Sequence, residues 1–244
     1  MSRRTVLLGL IALTHALPLS RTASAQDARP TVAVMYFGNG AIGTAHEELA
    51  PLVKGLADML ISELSTNGAI RVLERDQLQQ LAKERELSAT GRVDRESAVR
   101  IGKILGADHM IFGGFVTDTR GAIRIDARAV NVETSQVEHV ETVSGRQQEL
   151  LSLVNELAGK LNRGMKLPEI PRGVRQASLE RARKVPLEAA MLYSRALAAK
   201  DGGNAKEAVL LLQRSLATFP EYEPARRELA KLSPSSGGGS SGID

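Results

Sequence analysis

His109-Met110-Ile111-Phe112-Gly113-Gly114-Phe115-Val116-Thr117 is an apolar run of strand length. After the turn segment Asp118 to Gly121 comes Ala122-Ile123-Arg124-Ile125-Asp126-Ala127-Arg128-Ala129-Val130-Asn131-Val132. Here Ile123, Ile125 and Ala127 alternate with Arg124, Asp126 and Arg128. A period of two places the first set on one face of a strand and the second on the other. A third run, Gln136 to Val143, follows Glu133 to Ser135. Connections this short join antiparallel neighbours, so the three strands predict a meander with one face wet or covered by a partner.

Upstream, Thr31 to Phe37 is a short apolar run that reads as a buried strand. It opens into the glycine loop Gly38-Asn39-Gly40-Ala41-Ile42-Gly43. Leu49, Leu52, Val53, Leu56, Met59, Leu60 and Leu64 then recur at helical steps, with Pro51 in the first turn and Asn67-Gly68 ending the helix. Ile70 to Leu73 predicts a second strand, and Asp76 and Asp94 predict two helix caps. The second of those helices carries Ala98, Ile101 and Leu105 and ends at Gly106. A helix from about Gln147 to Leu161 closes the unit. The predicted fold class is α/β, a mixed sheet with an antiparallel meander and packed helices over residues 31–163. Leu167 to Arg172, with two prolines and with Gly173 directly after it, marks a linker over 164–186; residues 187–232 predict a small all-α region, and 233–244 a Ser/Gly-rich tail.

The amino terminus has the three parts of a secretory signal: Arg3-Arg4, an apolar run from Val6 to Leu13, and Ala23-Ser24-Ala25. Cleavage after Ala25 gives a periplasmic protein starting at Gln26. Ser2-Arg3-Arg4-Thr5-Val6-Leu7 also resembles a twin-arginine signal, with Val6 where Phe is usual, so the general and twin-arginine routes both stay open. The chain has no Cys, which excludes disulfides, thiolate metal sites and a lipid anchor on cysteine. Removing Arg3, Arg4 and Arg21 lowers the net charge from +4 to +1. With 3% aromatic residues and no Trp, that balance argues against nucleic acid as a partner. No later apolar run is long enough for a membrane helix.

The region from Val72 to Gly145 resembles the CsgG family of bacterial envelope proteins, with the FlgO-type domain and the amino-terminal domain of TolB as neighbours. The likeness rests on Leu73-Glu74-Arg75-Asp76 before a helix with Leu78, on Ile101-Gly102-Lys103-Ile104-Leu105-Gly106-Ala107-Asp108 before a strand into Gly113-Gly114, and on Asp126 to Thr134. With the first strand it covers roughly residues 31–163. The resemblance implies envelope or outer-membrane protein partners, self-association and, for the best-known member, a secretion channel for curli fibre subunits. That member is a lipoprotein with two long membrane hairpins. Here only Asp118 to Gly121 separates two strands, and a membrane strand needs about 9–11 residues. The periplasmic fold is therefore expected, without the pore.

The chain from Ala189 resembles a tetratricopeptide repeat, with Leu192, Ala196, Gly203, Ala208, Leu212, Leu216 and Pro220 at its marked positions and a capping helix from Glu223 to Leu232. Such repeats commonly bind through the inner face of the first helix, which implies Tyr193, Leu197 and Lys200 as partner-binding residues. The same face could instead pack on its own chain, since one repeat cannot bury its apolar side alone.

The loop Gly38-x-Gly40-x-x-Gly43 matches the dinucleotide fingerprint. Glu74, the candidate ribose acid, lies about 31 residues beyond Gly43 rather than the usual ~20, and a plain glycine turn is the favoured reading. His46, His109 and His139 lack a second ligand at metal spacing. No Ser-nucleophile motif occurs. Arg172, Arg175, Arg181, Arg183 and Lys184 read as a solvated linker or as a contact for anionic lipid or an acidic partner. The expectation is a non-catalytic envelope interaction or assembly protein with no cofactor and no metal. The alternatives are an outer-membrane secretion-channel subunit and a periplasmic nucleotide-binding enzyme.

Overall fold

The computed structural model describes residues 29–84 and 94–233. The expected leader and cleavage site and the Ser/Gly-rich tail lie outside the described residues. In chain order the elements are β1 (Thr31–Asn39), α1 (Thr44–Glu48), α2 (Leu52–Leu64), β2 (Arg71–Val72), α3 (Arg75–Glu84), α4 (Arg95–Leu105), β3 (His109–Thr117), β4 (Ala122–Asn131), β5 (Val137–Arg146), α5 (Leu150–Gly164), α6 (Arg172–Lys184), α7 (Leu187–Asp201), α8 (Ala205–Thr218) and α9 (Glu223–Leu232). A 3-10 turn, Gln147–Glu149, leads into α5.

The described sheet has the order β2-β1-β3-β4-β5. β1 runs parallel to β2 and β3, and β3, β4 and β5 form the antiparallel meander. The mixed α/β class stands as expected. β4 alternates as its sequence demands: Ile123, Ile125, Ala127 and Ala129 are buried and Arg124 and Arg128 exposed. The register Phe115–Ile125–Val143 carries the buried row across the meander. α2 and α5 cover this face, and Leu56, Leu60, Leu64, Val154, Leu157 and Leu161 supply a core in which each is almost wholly buried. Burial of such a side chain is worth about 1.5–3 kcal/mol, so this layer is a main source of stability.

α4 covers only part of the opposite face. It starts at Asp94, whose Oδ1 accepts from Ser97 N (2.7 Å), and ends at Gly106 in the left-handed region (φ 65°). A Cβ on Gly102 would lie 2.6 Å from Met110 Cγ and from Val132 Cγ2, so the helix rests directly on β3 and the end of β4. Asp108 then fixes the sheet: its Oδ2 accepts from Thr31 N (2.7 Å), and its own N–H donates to Thr31 O (2.8 Å). Gly102, Gly106 and Asp108, the distinctive residues of the Gly102 to Asp108 segment, are thus explained as packing, cap and strand clamp.

Four expectations shift. The second strand contracts to Arg71–Val72. β5 runs on past Val143 to Arg146, because Ser144, Gly145 and Arg146 pair with Arg124, Ile123 and Ala122. Asp76 lies inside the first turn of α3 rather than capping it, and its carboxylate is used in ion pairs. Most of the expected linker is α6, which buries Ser178 and Ala182 against the body. Ser178 Oγ donates to Glu63 (2.6 Å), as does Asn155 Nδ2 (2.7 Å), which ties α6 and α5 to α2.

Candidate partner-binding surface

Tyr193, Leu197 and Lys200 all lie on α7, where α7 meets the body of the protein. Tyr193 and Leu197 are each 1% exposed. The Tyr193 hydroxyl donates to Asp58 of α2, and its ring meets Tyr222 edge-on at 5.4 Å. A Cβ on Gly55 of α2 would come within 1.9 Å of Ser194 Oγ, so the two helices touch almost backbone to backbone. The chain's own α2 therefore occupies the face that the repeat resemblance offered to a partner. α7 is apolar nearly all round because α2 lies on one side and α8 on another.

Charged residues seal this junction. Arg75, 2% exposed, donates from Nη1 to Asp201 Oδ2 (2.7 Å) and from Nη2 to Asp76 Oδ1 (3.1 Å), with Asp58 Oδ1 at 3.7 Å from Nε. Lys54 reaches Asp201 at 2.8 Å, and its Nζ lies 5.7 Å from the Tyr36 ring centroid. Lys200 pairs with Asp76 (3.0 Å) and Glu228 (2.8 Å), and Lys231 with Glu228 (2.8 Å). Burial opposes the charge on Arg75, but Asp201, Tyr36 and Asp58 outweigh it and the guanidinium pKa rises. Burial likewise works against the charge on Asp76 and Glu228, and the lysines reverse it, so both carboxyls sit below their ordinary range. Burial pushes Asp58 up and holds the Tyr36 phenol at about 12. These groups are spent on each other. The cluster clamps the helical region to the α/β unit, and losing one partner of such a cluster is costly.

The glycine loop is also used internally. Gly40 N–H donates to Phe115 O (2.8 Å), Ala41 N–H to Asn39 Oδ1 (3.0 Å), and Asn39 Nδ2 to His46 O (2.8 Å). A Cβ on Gly40 would meet Val116 Cγ1 at 2.7 Å, so this glycine lets the loop lie on β3. The helix after the loop, α1, has five residues, and two antiparallel strands complete the sheet. Glu74 is exposed, 3.9 Å from Lys231. His46 bonds Ala41 O (3.1 Å), His109 pairs with Glu138, and His139 pairs with Glu141 (2.8 Å). The loop and the histidines are thus each tied to the chain itself.

Among the described residues, the half of the sheet that α4 does not reach remains open. By register Gly114, Val116, Arg124, Asp126, Arg128, Val140 and Thr142 share that face. Asp126 accepts from Arg124 Nη2 (2.8 Å) and Thr142 Oγ1 (2.6 Å). Burial opposes its charge, and these two bonds overcome that and lower its pKa. A shallow hollow of about 360 Å³ lies between Gly38–Gly40, the Gly113-Gly114 floor and Arg124 and Arg128. The face ends at β5, an edge strand with Val137 41% and Val140 54% exposed. Gln147 N–H donates to Gly121 O (2.9 Å), which sets the phase of the ladder. Gly145, Val143 and Glu141 therefore exchange bonds with β4, and the N–H groups of Val140, Thr142 and Ser144 point to the free edge. Lys160 of α5 reaches around to the Thr142 carbonyl (3.2 Å) and covers part of that edge. The alternation in β4 already showed one free face; which half α4 covers and which strand forms the edge depended on tertiary packing.

Fold and surface together define a mixed α/β sandwich with a fused helical region and one half-open sheet. Residues 14–119 match the family model described as curli production assembly/transport component CsgG, less than half of the chain. The match stops before β4, so the Asp126 to Thr134 stretch lies beyond it. No curated protein matches the sequence. Similar solved structures include the LpoB C-terminal domain from Salmonella enterica, at 17% identity over 51% of this chain and 87% of that one, TM-score 0.36. TolB from Acinetobacter baumannii is similar at 12% identity over 59% of this chain and 30% of that one, TM-score 0.37. The PelC dodecamer from Paraburkholderia phytofirmans is similar at 13% identity over 58% and 90%, TM-score 0.34.

Proposed function

We propose that this chain is a non-catalytic interaction or assembly protein of the bacterial envelope that receives an extended segment of a partner protein on β5. The observation that carries the reading is the half-open sheet ending in an edge strand with exposed valines and outward N–H groups. An unpaired edge is a template for strand addition, with main-chain bonds giving affinity and alternate side chains giving choice. The likeness of residues 14–119 to an assembly/transport component, and a leader with the form of an export signal, support the envelope setting. Periplasmic placement, by either export route, belongs to the same reading. The tetratricopeptide-like helices α7–α9 serve in it as a cap on α2.

Lysine on an edge strand blocks pairing, so Val140→Lys/Thr142→Lys should abolish recovery of the partner complex from cross-linked envelopes. Leu210→Lys, on exposed α8 surface, should leave it intact. Equal recovery from both variants would defeat the reading. A channel subunit is the rival. β3 and β4 are joined by Asp118–Gly121, and β5 passes straight into the Gln147–Glu149 turn, so neither site holds a membrane hairpin. Recovery of the protein only in a salt-resistant outer-membrane fraction would favour the rival.

A further inference from the structure

A second surface stands apart from the open sheet. α6 carries Arg172, Arg175, Arg181, Arg183 and Lys184, all exposed, against a single acid, Glu180. Glu180 accepts from Gln176 (2.9 Å), and none of the five cations forms an ion pair among the described residues. Their order along the helix is informative. Arg181, Arg183 and Lys184 sit at the carboxyl end, where the helix dipole favours cations. Arg172 and Arg175 sit in the first turn, where it disfavours them, and that turn has no acid and no side-chain cap. Folding of α6 alone gives no reason for cations at that end.

α6 also forms one wall of a groove of about 600 Å³ against α2 and α9. Met59, Leu151, Val185, Phe219 and Tyr222 give the groove apolar lining, and its charged residues are Arg181, Lys184, Arg226 and Arg227 with Glu63, Glu221 and Glu223. Arg226 is held by Glu223 at 3.4 Å and Arg227 by Ser62 Oγ at 2.9 Å, so the groove's uncommitted cations are Arg181 and Lys184 of α6. Of the groove's acids, Glu63 is occupied by Ser178 and Asn155, Glu223 holds Arg226, and Glu221 is exposed at the rim.

We propose that α6 and this groove form a docking site for an acidic, amphipathic segment of a partner protein. Such a segment sets apolar side chains into the groove and carboxylates along the cations of α6. Of those cations Arg181 and Lys184 line the groove itself, while Arg175 and Arg183 stand on the other flank of α6, toward α5. A concave apolar floor suits a peptide better than a flat bilayer, which would meet only the ridge of charges. This site does not depend on β5.

The test uses the protein with a fluorescent 16-residue peptide carrying Leu at helical spacing and Glu elsewhere, and with its Glu→Gln counterpart. The Glu peptide should bind, and its affinity should fall steeply between about 50 and 200 mM salt, as a contact between facing charges requires. The Gln peptide should bind at least tenfold more weakly. Arg172→Gln/Arg175→Gln/Arg181→Gln/Arg183→Gln/Lys184→Gln should lose at least tenfold while keeping its circular dichroism spectrum and melting transition. Val140→Lys/Thr142→Lys should bind the Glu peptide like the wild type, which separates this site from β5. No binding of the Glu peptide, or equal binding of both peptides, would overturn the proposal. So would sedimentation of the wild type with phosphatidylglycerol vesicles without peptide binding, a result that assigns α6 to a membrane surface.

Discussion

Replacing Gly55 by alanine tests the junction between the helical region and the α/β unit. On an exposed helix face the change would stabilise by about 1 kcal/mol, because glycine is the weakest ordinary helix former. Here the new methyl would lie 1.9 Å from Ser194 Oγ, 2.5 Å from Ser194 Cβ and 3.2 Å from Ser194 Cα. The first atom could rotate away, but the Cβ and Cα cannot, so α7 must shift. Overpacking of this kind costs about 1–3 kcal/mol, and a clash against near-backbone atoms belongs at the upper end. The net expectation is a loss of about 2 kcal/mol. Ser194→Gly removes the two nearest atoms and leaves the 3.2 Å contact, which a small movement relieves. It costs about 0.5 kcal/mol in helix propensity. The double variant should therefore return close to wild type, a coupling of about 2 kcal/mol measured by urea unfolding of all four proteins. If Gly55→Ala is as stable as the wild type, or if Ser194→Gly does not rescue it, α7 does not pack on α2 as described.

Three further outcomes follow from the same junction. Arg75→Ala leaves Asp58 and Asp201 without their buried guanidinium and should cost about 3 kcal/mol in the same unfolding assay. Tyr222→Phe removes a buried hydroxyl that has no hydrogen-bond partner among the described residues and should raise stability by about 1 kcal/mol, seen as a higher Tm. Asp76 and Glu228 have folded pKa values below their unfolded ones, so their contribution is complete above the ordinary carboxylate range and is lost as pH falls through the folded values. Asp58, raised by burial, binds its proton more readily when folded and works in the opposite direction. Lys200→Met removes a partner of both lowered carboxyls, so stability at pH 7 should fall and its slope between about pH 5 and pH 2 should flatten.

How much of this was readable from sequence depended on local pattern. β3 and β4 were clear because apolar runs and strict alternation are local signals, and Asp94 and Gly106 bracket α4 by cap chemistry alone. β5 reads short from sequence because its run ends at Val143, while the continuation through Ser144 and Gly145 rests on pairing with Arg124 and Ile123, a tertiary fact. α6 was hidden because it carries no apolar stripe; it is held by two small residues and by Glu63, 115 positions before Ser178. Arg75 and Asp201 are 126 positions apart, and each in isolation resembles a surface charge. One clue was present: α2 carries Gly55 and Ala57 beyond its main leucine stripe, both buried, a sign that a second helix lies against it. Without that clue the inner face of α7, with Tyr193 and Leu197, suggested a partner where the chain supplies α2.

The most direct test of the central claim places a photo-cross-linking amino acid at Val140 on β5, and separately at Leu210 on α8, in the protein expressed in intact cells. Both positions are exposed, so both probes can react. The account predicts a discrete protein adduct from position 140 and none from position 210. Adducts from position 210 alone, or from neither position, would contradict the assignment of the open sheet edge as the binding surface.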